Sequence, residues 1–598
     1  MWPFSQPVFP ELSPKDVGTP LAPGLDTSSD VKTYDYIIVG GGTAGSVLAS
    51  RLSEDTGVKV LLLDRGSVDD TWQAKVPMMS ANTFREGGPA RRWFAQPLAE
   101  ANDRCLEVLY GEGIGGTSRI NGMVYTRGTP GDYERWVQQG NPGWGYKDLE
   151  PLFVKSETTL SQPTSNFRGR KGPWINQTHA NIPFKPVQLL ERAVHNIGIQ
   201  SVPDVNSPTA PAAGYATLDI CVDQHAYRSS TFRAFLPPEL AYARRDHLKV
   251  CTNTVVTRLE VQKINGTLRA TGVHFEAVDP RFADAKLFAR ATREVILCAG
   301  AIGSPQILML SGIGPQNHLT EKGIATVHDL PAVGSNLQDH LGLPVMWEIP
   351  MRDSLERMVA SPSVAIKELL KYLVAGHGLF ALSFLQTSLF VPSKLLNDRS
   401  EVVANSDPVL DASLPENVPD IEIMPVAYNC NDVDIPGKGA FSLMIALLQP
   451  KSTGSVRLAN RNPRARPDVE LGYLTNPADY EVLRKAIKLA LRLGEEMRRL
   501  GYPLKKLSVP ASESDTDLDA FVRECLRTSY HYTSTCRMGP ANGSRAAVVD
   551  AELRVHGVVG LRVADCSVFP DILATHTMAP AVLVGEKCAD LIKSTRII

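Results

Sequence analysis

The segment YDYIIVGGGTAGSVLASRLSEDTGVKVLLLDRG, residues 34–66, admits few folds. A short β-branched run, Ile37, Ile38 and Val39, suits a buried parallel strand. A glycine-rich turn follows, then an apolar helix face on Ala44, Val47, Leu48, Ala49 and Leu52, then a second apolar strand from Val58 to Leu63. This is one βαβ unit. Gly40, Gly42 and Gly45 have the G-x-G-x-x-G spacing at the strand-to-helix turn, with Thr43 and Ala44 opening the helix. The first glycine permits the tight turn, the second leaves room for a pyrophosphate, and the third lets helix and strand pack closely. The free N–H groups and positive dipole end of the helix favour phosphate. Asp64 stands 19 residues beyond Gly45 at the end of the second strand, followed by Arg65. A carboxylate there suits two ribose hydroxyls. The unit therefore reads as a dinucleotide site that fits FAD and NAD equally well.

The remaining chain is long enough for a large enzyme. The whole chain has 598 residues, 43% of them hydrophobic, and a net charge of −2, so nothing basic points to nucleic acid or to an anionic membrane. No apolar run approaches the ~20 residues of a membrane span. The nine cysteines are scattered and form no CxxC, so neither a metal cage nor a disulfide framework is expected. Residues 1–33, rich in Pro, Ser, Thr and Asp, read as an irregular arm. They lack a basic n-region and an apolar h-region, and the expected location is cytoplasmic. A strand-like stretch covers 248–262, another strand begins at 293, and residues 440–475 alternate like antiparallel strands. A long amphipathic helix covers 480–500. Residues 350–420 hold short helices and polar loops.

Five further motifs decide between the two dinucleotides. Residues 111–128, GEGIGGTSRINGMVYTRG, and 303–314, GSPQILMLSGIG, resemble the two signatures of the glucose–methanol–choline (GMC) oxidoreductases. PAVGSNLQDH (331–340), HYTSTCRMGP (531–540) and LRVADCSVFPDILATHTMAPAVLVGEKCADLI (561–592) resemble further stretches of that family, in the same order. The resemblance implies FAD. It also implies an α/β fold, α+β overall: a Rossmann-like FAD domain with a substrate domain on a helix-covered antiparallel sheet. The FAD domain is expected from 34–150, 215–345 and 540–598, and the substrate domain from 151–214 and 346–539. Implied cofactor contacts are Gly115, Gly116, Thr117, Asn121, Gly122, Met123 and Val124 in the first signature. Val255, Ala299, Asp565, Cys566, His576, Thr577 and Met578 complete them. Two departures stand out. Tyr110 and Glu112 replace basic residues common before the GG. Ile120 stands where some members tether FAD through histidine, so the FAD is expected to be non-covalent.

The resemblance also selects two of the twelve histidines. His531, five residues before Cys536, and His576 match the family's catalytic positions. His531 is expected to act as general base and His576 to orient the hydroxyl, though sequence leaves the roles exchangeable. Histidine suits this work because its ordinary pKa of about 6.5 leaves it unprotonated near neutrality. His340 and His556 read as structural. Phe380, Phe384, Tyr428 and Tyr530 are candidates for an aromatic substrate pocket. The implied reaction is oxidation of a primary alcohol, aryl or allylic, with O2 or a quinone as electron acceptor. A flavin-retaining lyase or cyclase and a non-catalytic binding protein are the competing readings. Oligomeric state is left open.

Overall fold

The computed structural model describes residues 8–21, 31–68, 70–79, 90–179, 182–279, 286–403, 410–431 and 435–595. Two large sheets organise it. In the first, strand Thr33–Val39 lies between Val60–Leu63 and Leu287–Leu297, all parallel. Leu248–Cys251 continues the parallel set beyond Val60–Leu63, and Leu561–Val563 joins it against Leu287–Leu297. Two long antiparallel strands, Thr254–Ile264 and Thr267–Ala277, extend the far edge. Helices Thr43–Leu52 and Met578–Ser594 pack against each other on this sheet. The central parallel segments are apolar and buried, at Ile37, Ile38 and Val39, at Val60–Leu63, and at Val295, Ile296 and Leu297, as a sheet covered on both faces requires, whereas the far ends of Thr254–Ile264 and Thr267–Ala277 reach solvent.

The second sheet is antiparallel. Its order runs Gly214–Thr217, Thr387–Val391, Ile421–Val426, Gly439–Leu447, Leu341–Ile349 and Lys505–Ser508, with Arg527–Thr528 also on Leu341–Ile349. Side chains alternate as the pleat demands. Ile421, Ile423, Leu443 and Ile445 share a core with Leu483, Ile487 and Leu493 of helix Ala478–Arg499. Glu422, Met424, Met444 and Ala446 point the other way, into a cavity between the sheets. A one-residue slip would put Glu422 in the apolar core, so that alternation pins the register.

Four sequence readings are corrected. Residues 1–33 are not irregular throughout. Glu11–Leu12 adds a parallel edge strand to Val250–Cys251, and Thr19–Pro20 pairs with Leu287–Phe288. These pairs satisfy backbone groups that an open sheet edge leaves bare. The stretch 248–262 is two strands, broken at Asn253, whose φ of 53° is left-handed. Gly214–Thr217, straddling the expected boundary at 214/215, pairs antiparallel with Thr387–Val391 of the second sheet. The region 350–420 also contains a regular helix, Pro362–Ala375. No helix among the described residues is long and apolar enough to cross a membrane.

Candidate active site

A cavity of about 1080 Å³ runs between the sheets from the glycine turn to His531 and His576. It exceeds the roughly 300–1,000 Å³ usual for one small ligand, as a dinucleotide with a substrate requires. At one end, helix Thr43–Leu52 presents its first turn with no side-chain cap. A Cβ on Gly42 would meet only the Cys298 carbonyl, at 4.0 Å, so this turn faces open space. The Asp64 carboxylate closes that end. It accepts the Gly41 N–H at 2.7 Å and the Gly66 N–H at 2.8 Å. Burial raises its pKa to about 6, against these two donors. An acid so desolvated has acceptor capacity suited to a pair of ribose hydroxyls.

The first-signature loop packs directly on the turn. Gly116 approaches so closely that a Cβ there would lie 2.7 Å from the Gly42 Cα. Thr117, Asn121, Gly122, Met123 and Val124 line the middle of the cavity with Val255 and Ala299. Met123 holds φ 63° while its N–H is bound by the Asn121 Oδ1 at 3.1 Å. Asp565 accepts from the Gly300 N–H at 2.9 Å, the Ser304 hydroxyl and the Ser567 N–H. Cys566, His576, Thr577 and Met578 follow on the wall, and helix Met578–Ser594 starts there, uncapped by any side chain. Free N–H groups at such a start favour anionic charge. These features form a cradle that fits FAD: two uncapped helix starts for negative groups, a carboxylate for the ribose, and glycines where backbone must approach closely.

Every sequence-predicted cofactor residue except Gly45 and Gly115 lies on the cavity wall. Those two work from behind it. A Cβ on Gly45 would stand 1.9 Å from the Gly40 carbonyl, and the Gly115 N–H donates to the Gly41 carbonyl at 2.7 Å. Glu112, the acidic departure, is held between Arg65 at 3.2 Å and Arg91, so its charge is matched. Ile120 is buried on the wall. All four predicted pocket aromatics line the cavity. Phe384 and Tyr428 are 42% and 44% exposed and mark its mouth. The Tyr530 hydroxyl donates to Glu107 at 2.9 Å, and its backbone holds φ 61°.

At the far end the two candidate histidines meet, although 45 residues separate them in sequence. The His531 and His576 rings stand edge to face with centroids 5.1 Å apart. His576 donates Nε2–H to Glu422 at 3.1 Å, and Glu422 also accepts the Ser388 hydroxyl at 2.7 Å. Burial alone would raise the Glu422 carboxyl, but His576 and these donors outweigh it and hold it below the usual range. The His531 N–H donates to Asp339 at 2.6 Å. Its ring Nδ1 lies 2.9 Å from Nδ1 of His340. Sequence reasoning missed Glu422 and Asp339. Glu422 had a signal: a lone carboxylate at an inward position of the otherwise apolar strand IEIMPV.

Burial, then the neighbouring His340 and His576 rings, push His531 well below the ordinary histidine value. The ring is then already unprotonated at neutral pH. The alcohol-dependent rate of flavin reduction is therefore expected to stay flat from about pH 8 to 6.5 and to fall only on further acidification. The apparent value belongs to the coupled histidines together. A stopped-flow pH series checks this, and an acid limb centred above pH 7 would contradict it.

Comparison with known proteins gives the family. Residues 34–342 and 450–585 match the N-terminal and C-terminal parts of the GMC oxidoreductase family. The chain belongs to this family. It is an FAD flavoprotein of the dehydrogenase and oxidase kind. An oxygen-dependent choline dehydrogenase of Chromohalobacter salexigens is 33% identical over 574 residues, 94% of this chain and 96% of that one. An FAD-dependent oxidoreductase from Chaetomium thermophilum superposes with a TM-score of 0.82 at 26% identity, covering 94% of this chain and all of that one. A fungal aryl-alcohol oxidase gives 0.78 at 25% identity, covering 94% and 99%.

Proposed function

We propose that this GMC enzyme oxidises a primary alcohol with an uncharged apolar body, aryl or allylic, to its aldehyde. The observation that carries the reading is the edge-to-face pair His531 and His576 on the wall of a cavity whose other end is built for a dinucleotide. The glycine turn, Asp64, the first-signature loop and the start of helix Met578–Ser594 would hold FAD non-covalently, and bound FAD would supply the two-electron oxidant for the carbinol C–H bond. His531 takes the hydroxyl proton. His576, anchored by Glu422, orients the hydroxyl oxygen. The electron acceptor is O2 or a quinone.

The wall chemistry favours a neutral substrate. Met358, Val359, Phe380, Phe384, Met424, Val426 and Tyr428 provide apolar and aromatic surface on the mouth side. Among the described residues, four carboxylates line the cavity: Asp64, Glu112, Glu422 and Asp565. Each is engaged, by backbone N–H groups, by two arginines, by His576 with Ser388, or by the Gly300 and Ser304 donors. Among the described residues no unengaged carboxylate stands in the cavity to pair with a quaternary ammonium, which leaves such a cation only the aromatic faces, and a desolvated cation without an ionic partner is costly.

Anaerobic mixing with benzyl alcohol, cinnamyl alcohol, hexanol and choline tests this. Benzyl and cinnamyl alcohol are expected to bleach the oxidised flavin band, and choline to do so at least about a hundredfold more slowly, as an uncompensated buried charge demands. Choline as the fastest substrate would overturn the substrate class. Turnover of an alcohol with no bleaching would favour the lyase or cyclase reading. Subsequent exposure to air separates oxidase from dehydrogenase.

A further inference from the structure

The segment Gln338–His340 grips His531 through both backbone and ring. Gln338 and Thr533 exchange N–H to carbonyl bonds, and the Ser529 N–H donates to the His340 carbonyl at 3.1 Å. Tyr530 and His531 bulge out of this pairing, with Tyr530 at φ 61°. The bulge leaves the His531 N–H off the ladder, and the Asp339 carboxylate takes it at 2.6 Å. Asp339 is itself held by the Tyr473 and Thr528 hydroxyls. The next side chain, His340, is fully buried and meets the His531 ring.

Hydrogen-bond arithmetic then fixes the protons. The His340 Nε2 lies 3.1 Å from the Leu573 carbonyl, which can only accept, so Nε2 carries a proton. A neutral imidazole with Nε2–H has an unprotonated Nδ1. That Nδ1 lies 2.9 Å from the Nδ1 of His531, so the latter must be the donor. The reverse assignment would set two lone pairs against each other at the Leu573 carbonyl. Burial pushes the His340 ring down to about 4 despite the opposing charge of Glu422, which keeps it neutral at working pH. His531 with Nδ1–H has its lone pair on Nε2, the nitrogen not held by His340.

We propose that His340 is a positioning residue that sets the tautomer of His531, placing the basic lone pair on Nε2 toward the substrate. The proposal rests on His531 being the base. His340 touches no substrate; it acts through the Leu573 carbonyl on one side and the His531 ring on the other. When His531 takes the hydroxyl proton on Nε2, its Nδ1–H bond to His340 becomes charge-assisted and strengthens. The other titratable groups facing this pair are His576, Glu422 and Asp339, and all three stay in place when His340 is changed.

The test uses the FAD-loaded enzyme and four variants. His340→Leu fills the volume but removes the acceptor. His340→Asn keeps an amide oxygen where Nδ1 stands. His531→Ala and the double variant His531→Ala/His340→Leu complete the set. Limiting flavin-reduction rate, alcohol Kd and FAD content are read for each. His340→Leu is expected to lower the limiting rate at least about tenfold with FAD content and alcohol Kd nearly unchanged, as misassigned tautomers do. His340→Asn should stay within about threefold of wild type, and His340→Leu should cost nothing further once His531 is alanine. A full His340→Leu loss persisting in the His531→Ala background would mean a merely structural role and overturn the proposal. So would a His340→Leu enzyme with the wild-type rate. If His531→Ala itself keeps the wild-type rate, the reading of His531 as base fails instead.

Discussion

His531→Ala is expected to lower the limiting rate of flavin reduction by about 10²- to 10⁴-fold, the range for a lost general base. FAD should remain bound at the wild-type stoichiometry. The glycine turn, Asp64 and the first-signature loop are built from other segments and do not pass through the His531 side chain. The fold should also survive. The one backbone bond that anchors the position, His531 N–H to Asp339, is kept by alanine. His531 lines the cavity, so removal of its ring enlarges existing space rather than opening a void in the core. Alcohol Kd should change little, because the apolar and aromatic wall supplies most of the contact. A defect confined to the chemical step is therefore the signature, read by stopped-flow under anaerobic conditions. A rate within about threefold of wild type would mean that the base is elsewhere, with His576 the next candidate. His576→Ala should be milder for proton removal, but it leaves the fully buried Glu422 with only the Ser388 hydroxyl of its two side-chain partners. That variant is expected to lose stability as well as rate, which separates the two histidines.

What could be read before the structure was local. The turn at Gly40–Gly45 and the acid at Asp64 carry their meaning within about thirty residues, since helix start, strand end and close packing are neighbours in the chain. The amphipathic helix over 480–500 is likewise set by its own periodicity and spans Ala478–Arg499. Residues 248–262 misled for the opposite reason. Their composition is strand throughout, and only the left-handed Asn253 divides them between the parallel core and an antiparallel edge. The arm at 11–20 has too little apolar patterning to announce two strands, because its pairing serves exposed edges rather than a buried face. The site was legible where family motifs marked it and opaque where partners came from afar. Glu422 lies 154 residues from His576, and His340 lies 191 residues from His531. No local rule says that a histidine in LQDH abuts one in HYTSTC. The antiparallel pairing of Gln338–His340 with Ser529–Thr533 does that, and only the folded sheet reveals it.

Two glycines of the turn offer a sharper trial of the cofactor cradle than any loss of activity. Gly45→Ala is expected to fail at the level of the fold. Its Cβ would stand 1.9 Å from the Gly40 carbonyl and 3.1 Å from the Cys298 Cβ, and the nearer obstacle is backbone, with no flexible side chain to swing away. Helix Thr43–Leu52 would have to lift from the sheet, so folded yield and bound FAD should fall together. Gly42→Ala meets no such barrier. It has φ −67° and ψ −157°, an extended conformation, and the nearest protein atom to its new methyl is the Cys298 carbonyl at 4.0 Å. The apoprotein should therefore melt within about 2 °C of wild type, as substitutions without a steric or polar penalty do. FAD is another matter, because the methyl would stand in the space where the pyrophosphate must approach the helix start. Overpacking of that kind costs roughly 1–3 kcal/mol, or about five- to 150-fold in affinity. Flavin absorbance after gel filtration and titration of apoprotein with FAD measure the two effects separately. If Gly42→Ala retains FAD as tightly as wild type, the pyrophosphate does not lie over this turn, and the cradle described above is placed wrongly.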